Sequence, residues 1–151
     1  MLVKTKYFGE INLSEDKIIS MERGMFGFEE YKKFTILYDS EKEGRPNVSW
    51  FQSIEEPNLA FPVINPLAVK EDYNPIVEDE LLKGIGDITE ENIVVLLPFT
   101  VPQDITQMTV NLKAPIIINA DTRKGIQAVV ENEDYVIKYK VYDILKAKKE
   151  A

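Results

Sequence analysis

The sequence contains neither cysteine nor histidine. Their absence excludes thiol nucleophiles, the Ser-His-Asp triad, zinc held by Cys and His, and the usual general base near neutral pH. Any catalysis would have to use carboxylates, lysine, tyrosine or hydroxyl groups, and no spacing of these residues matches a catalytic motif. We therefore predict that the protein is not an enzyme and holds no cofactor and no metal.

Long apolar runs are also missing. The sequence has no stretch of about 18 apolar residues, the length that a membrane span needs, and it does not open with the charged-then-apolar pattern of a secretory signal. The lack of cysteine is consistent with a reducing compartment. We expect a cytoplasmic protein that neither spans nor binds a membrane.

Basic residues are fewer than acidic ones, 18 against 26, which gives a formal net charge of -8. Such a molecule repels the phosphates of nucleic acid and anionic membrane surfaces, so no direct nucleic-acid partner is expected. A basic protein is the natural electrostatic complement. The rest of the composition, 44% hydrophobic and 29% charged over 151 residues, is typical of a globular chain and predicts a single domain over residues 1–151.

The hydrophobic pattern is mainly that of short β-strands separated by turn residues. At its centre lie residues 109–119, with an isoleucine triplet, followed by a polar turn and a second apolar run at 126–130. This pattern predicts a hairpin that is buried on both faces. The whole chain predicts a mostly β fold, a single-domain antiparallel β-barrel or sandwich-like structure with one or two short helices.

Three other segments carry specific expectations. Residues 71–86 predict one short internal helix, started by Asn74-Pro75 and closed by a glycine. Residues 135–142 predict a last strand, and the lysine-rich tail behind it predicts a helical or frayed end. The polar stretch 39–46 predicts a surface loop.

Several local motifs are too weak to indicate a site. The acidic clusters at 78–80 and 131–134 lack the ligand spacing and central glycine of a calcium loop, so solvated charge is expected there. Gly84-Ile85-Gly86 has two glycines of a dinucleotide fingerprint but no surrounding βαβ unit, which favours a helix cap. The glycines of residues 24–29 shape a loop that presents Met25, Phe26 and Phe28. Those side chains could face the core, the commoner outcome, or a partner.

Three segments resemble a known protein family in order and approximate spacing. They are Gly-Met-Phe-Gly-Phe-Glu at 24–29, the block from Gln-Ser to Asn-Pro at 52–66, and residues 109–119, with a Gly-Ile-Gln turn at 125–127 completing the match. Together these segments resemble the flagellar assembly factor FliW family.

The resemblance implies a small, non-catalytic cytoplasmic protein with a barrel-like β fold. Members of this family bind flagellin and also bind CsrA, an RNA-binding translational repressor. Flagellin sequesters the factor, and when flagellin is scarce the factor antagonises CsrA so that flagellin messenger RNA is translated. The function expected from the resemblance is therefore that of a chaperone-like regulator of flagellum biogenesis, acting through protein binding.

Two sets of residues are candidates for partner binding. An acidic set would meet the basic partner, and a mainly apolar set would supply a hydrophobic contact. The acidic candidates are Glu71, Asp72, Glu78, Asp79 and Glu80, and the apolar-contact candidates are Phe28, Phe61, Ile126 and Gln127. Because the acidic residues form short clusters with no continuous row at phosphate spacing, a contact away from the RNA-binding surface of CsrA is favoured over direct mimicry of RNA.

Two other functions stay open on the sequence. One is a carboxylate-based hydrolase or metal-binding enzyme, which would need a cleft that brings acidic residues together around a metal. The other is a general secretion chaperone, which would bind many clients where a dedicated factor binds one.

Overall fold

The computed structural model describes residues 1–38 and 48–150, so the surface loop predicted at 39–46 lies outside the described residues. The strands are β1 (Leu2–Lys4), β2 (Glu10–Asn12), β3 (Ile19–Ser20), β4 (Lys33–Tyr38), β5 (Val48–Ser53), β6 (Ala60–Ile64), β7 (Ile93–Thr100), β8 (Thr109–Val110), β9 (Ile116–Asn119), β10 (Lys124–Gln127) and β11 (Tyr139–Lys140), and the helices are α1 (Asp79–Leu82) and α2 (Tyr142–Glu150). Neither of these helices is long and apolar enough to cross a membrane.

The strand pairing closes on itself. One sheet has the order β11-β8-β7-β6-β5-β4-β3-β10-β9, and β9 pairs in addition with β7, so the strands from β7 round to β9 form a closed barrel. Among the described pairings, only β3 with β10 is parallel, joined at Ser20 and Lys124. The predicted mostly β, barrel-like fold with two short helices is confirmed, and the sheet is mixed where a wholly antiparallel one was expected.

The predicted central hairpin consists of β9 and β10, which pair from Asn119 with Lys124 to Ile116 with Gln127. Successive side chains of a strand point to opposite faces, and the isoleucine triplet of β9 follows this rule. Ile116 and Ile118 enter the cluster that fills the barrel, which also contains Phe34 and Phe51. Ile117 points the other way, into a second cluster against residues 77–88. The prediction of a hairpin buried on both faces is confirmed.

The pattern of residues 109–119 suggested one continuous strand, but the structure divides this segment into β8 and β9. After β8 the chain turns at Asn111, whose side-chain oxygen accepts hydrogen bonds from the amides of Lys113 and Ala114. Such an Asx turn offers the backbone an alternative to the strand ladder. At the other end of the hairpin, β10 stops at Gln127 and does not continue as a strand to residue 130.

The prediction of a last strand over residues 135–142 is wrong for most of its length. Tyr135 turns inward and stacks on Tyr73, with ring centroids 4.9 Å apart. Only Tyr139–Lys140 pairs, with β8, and the chain then enters α2. Leu145 of that helix packs against a core cluster that contains Tyr73, Tyr135 and Val141. These tertiary contacts outweigh the strand propensity of residues 135–142.

The internal helix within 71–86 is short, as predicted, but it begins at Asp79 rather than at Asn74-Pro75. The Asn74 amide donates to the Tyr135 hydroxyl, and the Ile76 amide donates to the Asn132 side chain. These bonds tie the backbone of residues 74–76 to another segment, so the helix starts only beyond them.

Candidate protein-binding faces

Two acidic stretches that lie far apart in the sequence meet on one surface. The Glu131 amide donates to the Ile76 carbonyl at 2.8 Å, and the Asn132 side chain bonds both the Ile76 amide, at 2.7 Å, and the Asn74 carbonyl, at 3.0 Å. These bonds hold the segment before α1 against the segment after β10. The acidic face, as we define it, consists of the exposed carboxylates on both sides of this junction: Glu71, Asp72, Glu78, Asp79, Glu80, Glu131, Glu133 and Asp134.

Ion pairs neutralise only part of the acidic face. The Lys70 ammonium lies 3.1 Å from Asp72, and the Lys83 ammonium lies 3.0 Å from Glu80. The hydrogen bond from Lys70 lowers the pKa of Asp72, and Asp72 in turn raises the pKa of Lys70. The other carboxylates of the face have no ion-pair partner among the described residues, so the face keeps a strong negative charge.

Apolar side chains interrupt the acidic face. Ile76, at the junction itself, is 52% exposed, and Val129, which precedes Glu131 by two residues, is 53% exposed. The sequence pattern indicated neither exposed side chain. It did predict solvated charge at residues 131–134, and Glu131, Glu133 and Asp134 are exposed. The junction itself could not be predicted from local pattern, because it depends on hydrogen bonds between segments that are 55 to 61 residues apart.

A second exposed surface surrounds the glycine-bracketed loop. In that loop Met25 is buried, whereas Phe26 is 49% and Phe28 39% exposed. The Phe28 ring meets the half-buried Phe61 edge-on with centroids 5.2 Å apart, and Phe61 lies 6.2 Å from Phe34 of the core. The aromatic face, as we define it, consists of Phe26, Phe28, Tyr31 and Phe61. The prediction left the direction of the loop's side chains open, and the structure divides them between core and surface.

Ile126 and Gln127 are not surface contacts, which corrects their place in the apolar-contact set. Ile126 is buried against Ile117 and Ala128. Gln127 is also buried, and its side chain donates to the Ala114 carbonyl at 3.1 Å and accepts from the Phe26 amide at 2.9 Å. Gln127 therefore fixes the loop that carries the aromatic face, and a partner cannot reach it without displacing that loop.

The cleft found among the described residues does not have the lining of a carboxylate or metal active centre. An open cleft of about 420 Å³ has Glu15, Lys33 and Arg123 among its lining residues, so it offers one carboxylate beside two cations. A hydrolase working through carboxylates needs an acidic pair, and a hard cation needs several oxygen ligands. Within residues 1–38 and 48–150, no group of three or more His, Cys, Asp or Glu is placed to hold a metal ion.

Comparison with known proteins gives a consistent result over nearly the whole chain. The profile of the family described as FliW protein matches residues 2–141. A protein of Lachnospira eligens named flagellar assembly factor FliW is 56% identical over 147 residues, which are 97% of this chain and 97% of that protein. A protein of Lachnoclostridium phytofermentans with the same name is 55% identical over 152 residues, which cover 99% of this chain and 97% of the relative.

The fold has a counterpart among solved structures. A crystal structure of the flagellar assembly factor FliW superimposes with a TM-score of 0.85 at 30% sequence identity and covers 94% of this chain and 97% of that one. The resemblance carried by three sequence segments is thereby confirmed.

Proposed function

The chain belongs to the FliW family of flagellar assembly factors, and we propose that it is a non-catalytic, cytoplasmic binding protein that holds flagellin and antagonises the translational repressor CsrA. Abundant flagellin sequesters the protein. When flagellin is scarce, the free protein binds CsrA, and flagellin messenger RNA is translated. The acidic face supports this proposal, because a basic RNA-binding protein is its electrostatic complement.

The composition of the acidic face favours a contact away from the RNA-binding surface of CsrA. Its carboxylates are interrupted by the exposed apolar side chains of Ile76 and Val129 and by ion pairs to Lys70 and Lys83. A mimic of RNA would need an unbroken row of negative charge. If this protein binds CsrA away from the RNA site, thermodynamic linkage requires RNA and this protein to weaken each other's binding to CsrA by the same limited factor.

The decisive experiment titrates RNA into CsrA at increasing concentrations of this protein. We expect the apparent affinity of CsrA for RNA to fall and then reach a plateau, because a ternary complex can form. An affinity that falls without limit means direct competition and contradicts the off-site contact. The absence of any binding between this protein and CsrA contradicts the proposed function itself.

Charge neutralisation on the acidic face tests where CsrA binds. The triple variant Glu78→Gln, Asp79→Asn, Glu80→Gln should lower the association rate with CsrA by about tenfold at low salt and by less at physiological salt, where screening acts over about 8 Å. Its matched control is Glu10→Gln, Glu15→Gln, Asp16→Asn, which removes the same charge from exposed positions of the N-terminal segment. Equal effects of both triples would show that net charge, and not this face, steers the association.

A further inference from the structure

The aromatic face combines exposed rings with fixed negative charge, and we propose that it binds an amphipathic α-helix whose apolar stripe is flanked by lysine or arginine. This inference rests on the proposed function, because it assumes that the helix belongs to a protein partner. Beyond that function, it specifies that the partner's binding segment is helical and positively charged at its flanks.

The Phe28 and Phe61 rings are held in place by contact with the core. Phe28 lies on Phe61, and Phe61 continues through Phe34 to Phe51, which stacks on Phe34 with centroids 4.6 Å apart. The loop is tied to the central hairpin by the bond from the Phe26 amide to Gln127. A preorganised apolar surface loses little conformational entropy on binding, which is a condition for a high-affinity anchor site.

The backbone of the loop is closed to the addition of a β-strand. The Phe26 amide donates to Gln127, the Gly27 amide donates to the Glu29 side chain at 3.0 Å, and the Phe28 amide donates to the Met25 carbonyl at 2.8 Å. Strand addition gains its affinity from free main-chain donors and acceptors, and these donors are already used. This disfavours strand addition and favours a partner that binds through side chains, as a helix does with apolar residues at i, i+3 and i+4.

Carboxylates border the aromatic face. Tyr31 lies near three of them, and the charge of Glu30, followed by partial desolvation and then the charges of Glu56 and Glu55, raises the pKa of its hydroxyl. Lys32 is close enough to Glu29 to contribute to lowering the pKa of that carboxyl, after the hydrogen bonds from backbone amides. The border therefore carries more negative than positive charge. Its carboxylates are Glu29, Glu30, Glu55 and Glu56.

Backbone hydrogen bonds fix most of these charges. The Glu55 carboxylate accepts from the amides of Lys32 and Lys33, the Glu56 carboxylate from the amide of Asn58, and the Glu29 carboxylate from that of Gly27. Fixed carboxylates beside aromatic side chains attract a helix with basic flanks and repel one with acidic flanks.

The test uses two synthetic helical peptides of about 18 residues, both with leucine at i, i+3, i+4 and i+7, with either lysine or glutamate at the positions that flank this stripe, and with alanine elsewhere. We expect the lysine peptide to bind, to remain helical, and to shift the amide resonances of residues 24–31 and 55–61. The double variant Phe26→Ser, Phe28→Ser should weaken this binding about tenfold or more, as loss of an aromatic anchor does. Its control, Val101→Ser, Ile105→Ser, removes two similarly exposed side chains elsewhere and should leave binding unchanged.

Several results would overturn the inference. They are absence of binding by the lysine peptide, equal binding by the glutamate peptide, a bound peptide in extended form, and equal losses in the two double variants. The proposed function fails separately: if wild-type protein binds neither flagellin nor CsrA but still binds the lysine peptide through this face, the inference stands without it.

Discussion

Two glycines of the aromatic loop make a matched pair for testing how the loop is built. Gly24 and Gly27 both have positive φ, +66° and +84°. A Cβ on Gly24 would lie 2.6 Å from the Glu29 Cα and 2.8 Å from the Glu29 carbonyl oxygen, whereas a Cβ on Gly27 would meet no atom within 4 Å. The variants Gly24→Ala and Gly27→Ala therefore share the same backbone strain but differ in steric overlap.

The two costs can be estimated separately. A non-glycine residue in the left-handed region costs roughly 1–2 kcal/mol, which is the whole expected loss for Gly27→Ala. Gly24→Ala adds an overlap with backbone atoms that cannot rotate away, and forced shifts of this kind cost about 1–3 kcal/mol more. We therefore expect Gly24→Ala to lower the free energy of unfolding by roughly 2–5 kcal/mol.

Urea unfolding followed by Trp50 fluorescence and by far-UV circular dichroism measures both variants under the same conditions. For a chain of this length, each kcal/mol corresponds to a melting-temperature loss of about 2–4 °C. We expect Gly24→Ala to be clearly the less stable of the two. Equal stability losses would refute the close packing of Gly24 on Glu29, and a stable Gly24→Ala protein that binds its partners normally would show that the loop tolerates a different path.

Three further outcomes are expected. Ile117→Asp places an unpaired charge in the core and should unfold the protein, because the cost of several kcal/mol approaches the whole stability of a small domain; a melting temperature within a few degrees of the parent would contradict this core. Asn119→Ala should cost about 2–4 kcal/mol in urea unfolding, since its amide donates to the carbonyls of Ile85 and Asp87, while the exposed Asn58→Ala should cost under about 0.5 kcal/mol. Flagellin and CsrA should compete for the protein, and a stable ternary complex in gel filtration would refute simple exclusion.

The central hairpin and the strands β4 and β5 could be predicted, because their local sequence patterns determine them. The isoleucine triplet marked the central hairpin, since consecutive β-branched residues bounded by turn residues are typical of a strand buried on both faces. The alternating pattern of residues 34–38 corresponds to β4, and the apolar-rich residues 48–53 form β5. The parallel contact of β3 with β10 could not be predicted, because a strand of two residues has no readable period and its partner lies more than 100 positions away.

The C-terminal segment shows why propensity failed elsewhere. Tyr135, Ile137, Tyr139 and Val141 stand at alternate positions, a pattern typical of a strand, yet the chain there is mostly irregular. Tyr135 is drawn into the core beside Tyr73, whose hydroxyl donates to the Leu112 carbonyl at 2.9 Å. Burying these rings with a hydrogen-bonded hydroxyl contributes more than a few ladder bonds at an edge. Tertiary contacts of this kind cannot be inferred from the period of one segment.

The candidate partner-binding residues also show that local sequence pattern cannot reveal which side chains are exposed. Ile126 and Gln127 were candidates for an apolar partner contact, but they lie in a matching segment that the core also needs. Ile126 is part of the core. The Gln127 side chain donates a hydrogen bond to the Ala114 carbonyl and accepts one from the Phe26 amide. Gln127 therefore contributes to the binding surface only by holding the loop that carries the aromatic face. A Gln127→Met substitution, which keeps the length of the side chain but removes its hydrogen bonds, should therefore weaken binding of the lysine peptide while the hairpin stays folded. Retained affinity together with a lost amide bond to Phe26, seen as faster hydrogen exchange at that amide, would show that the loop keeps its form without this support.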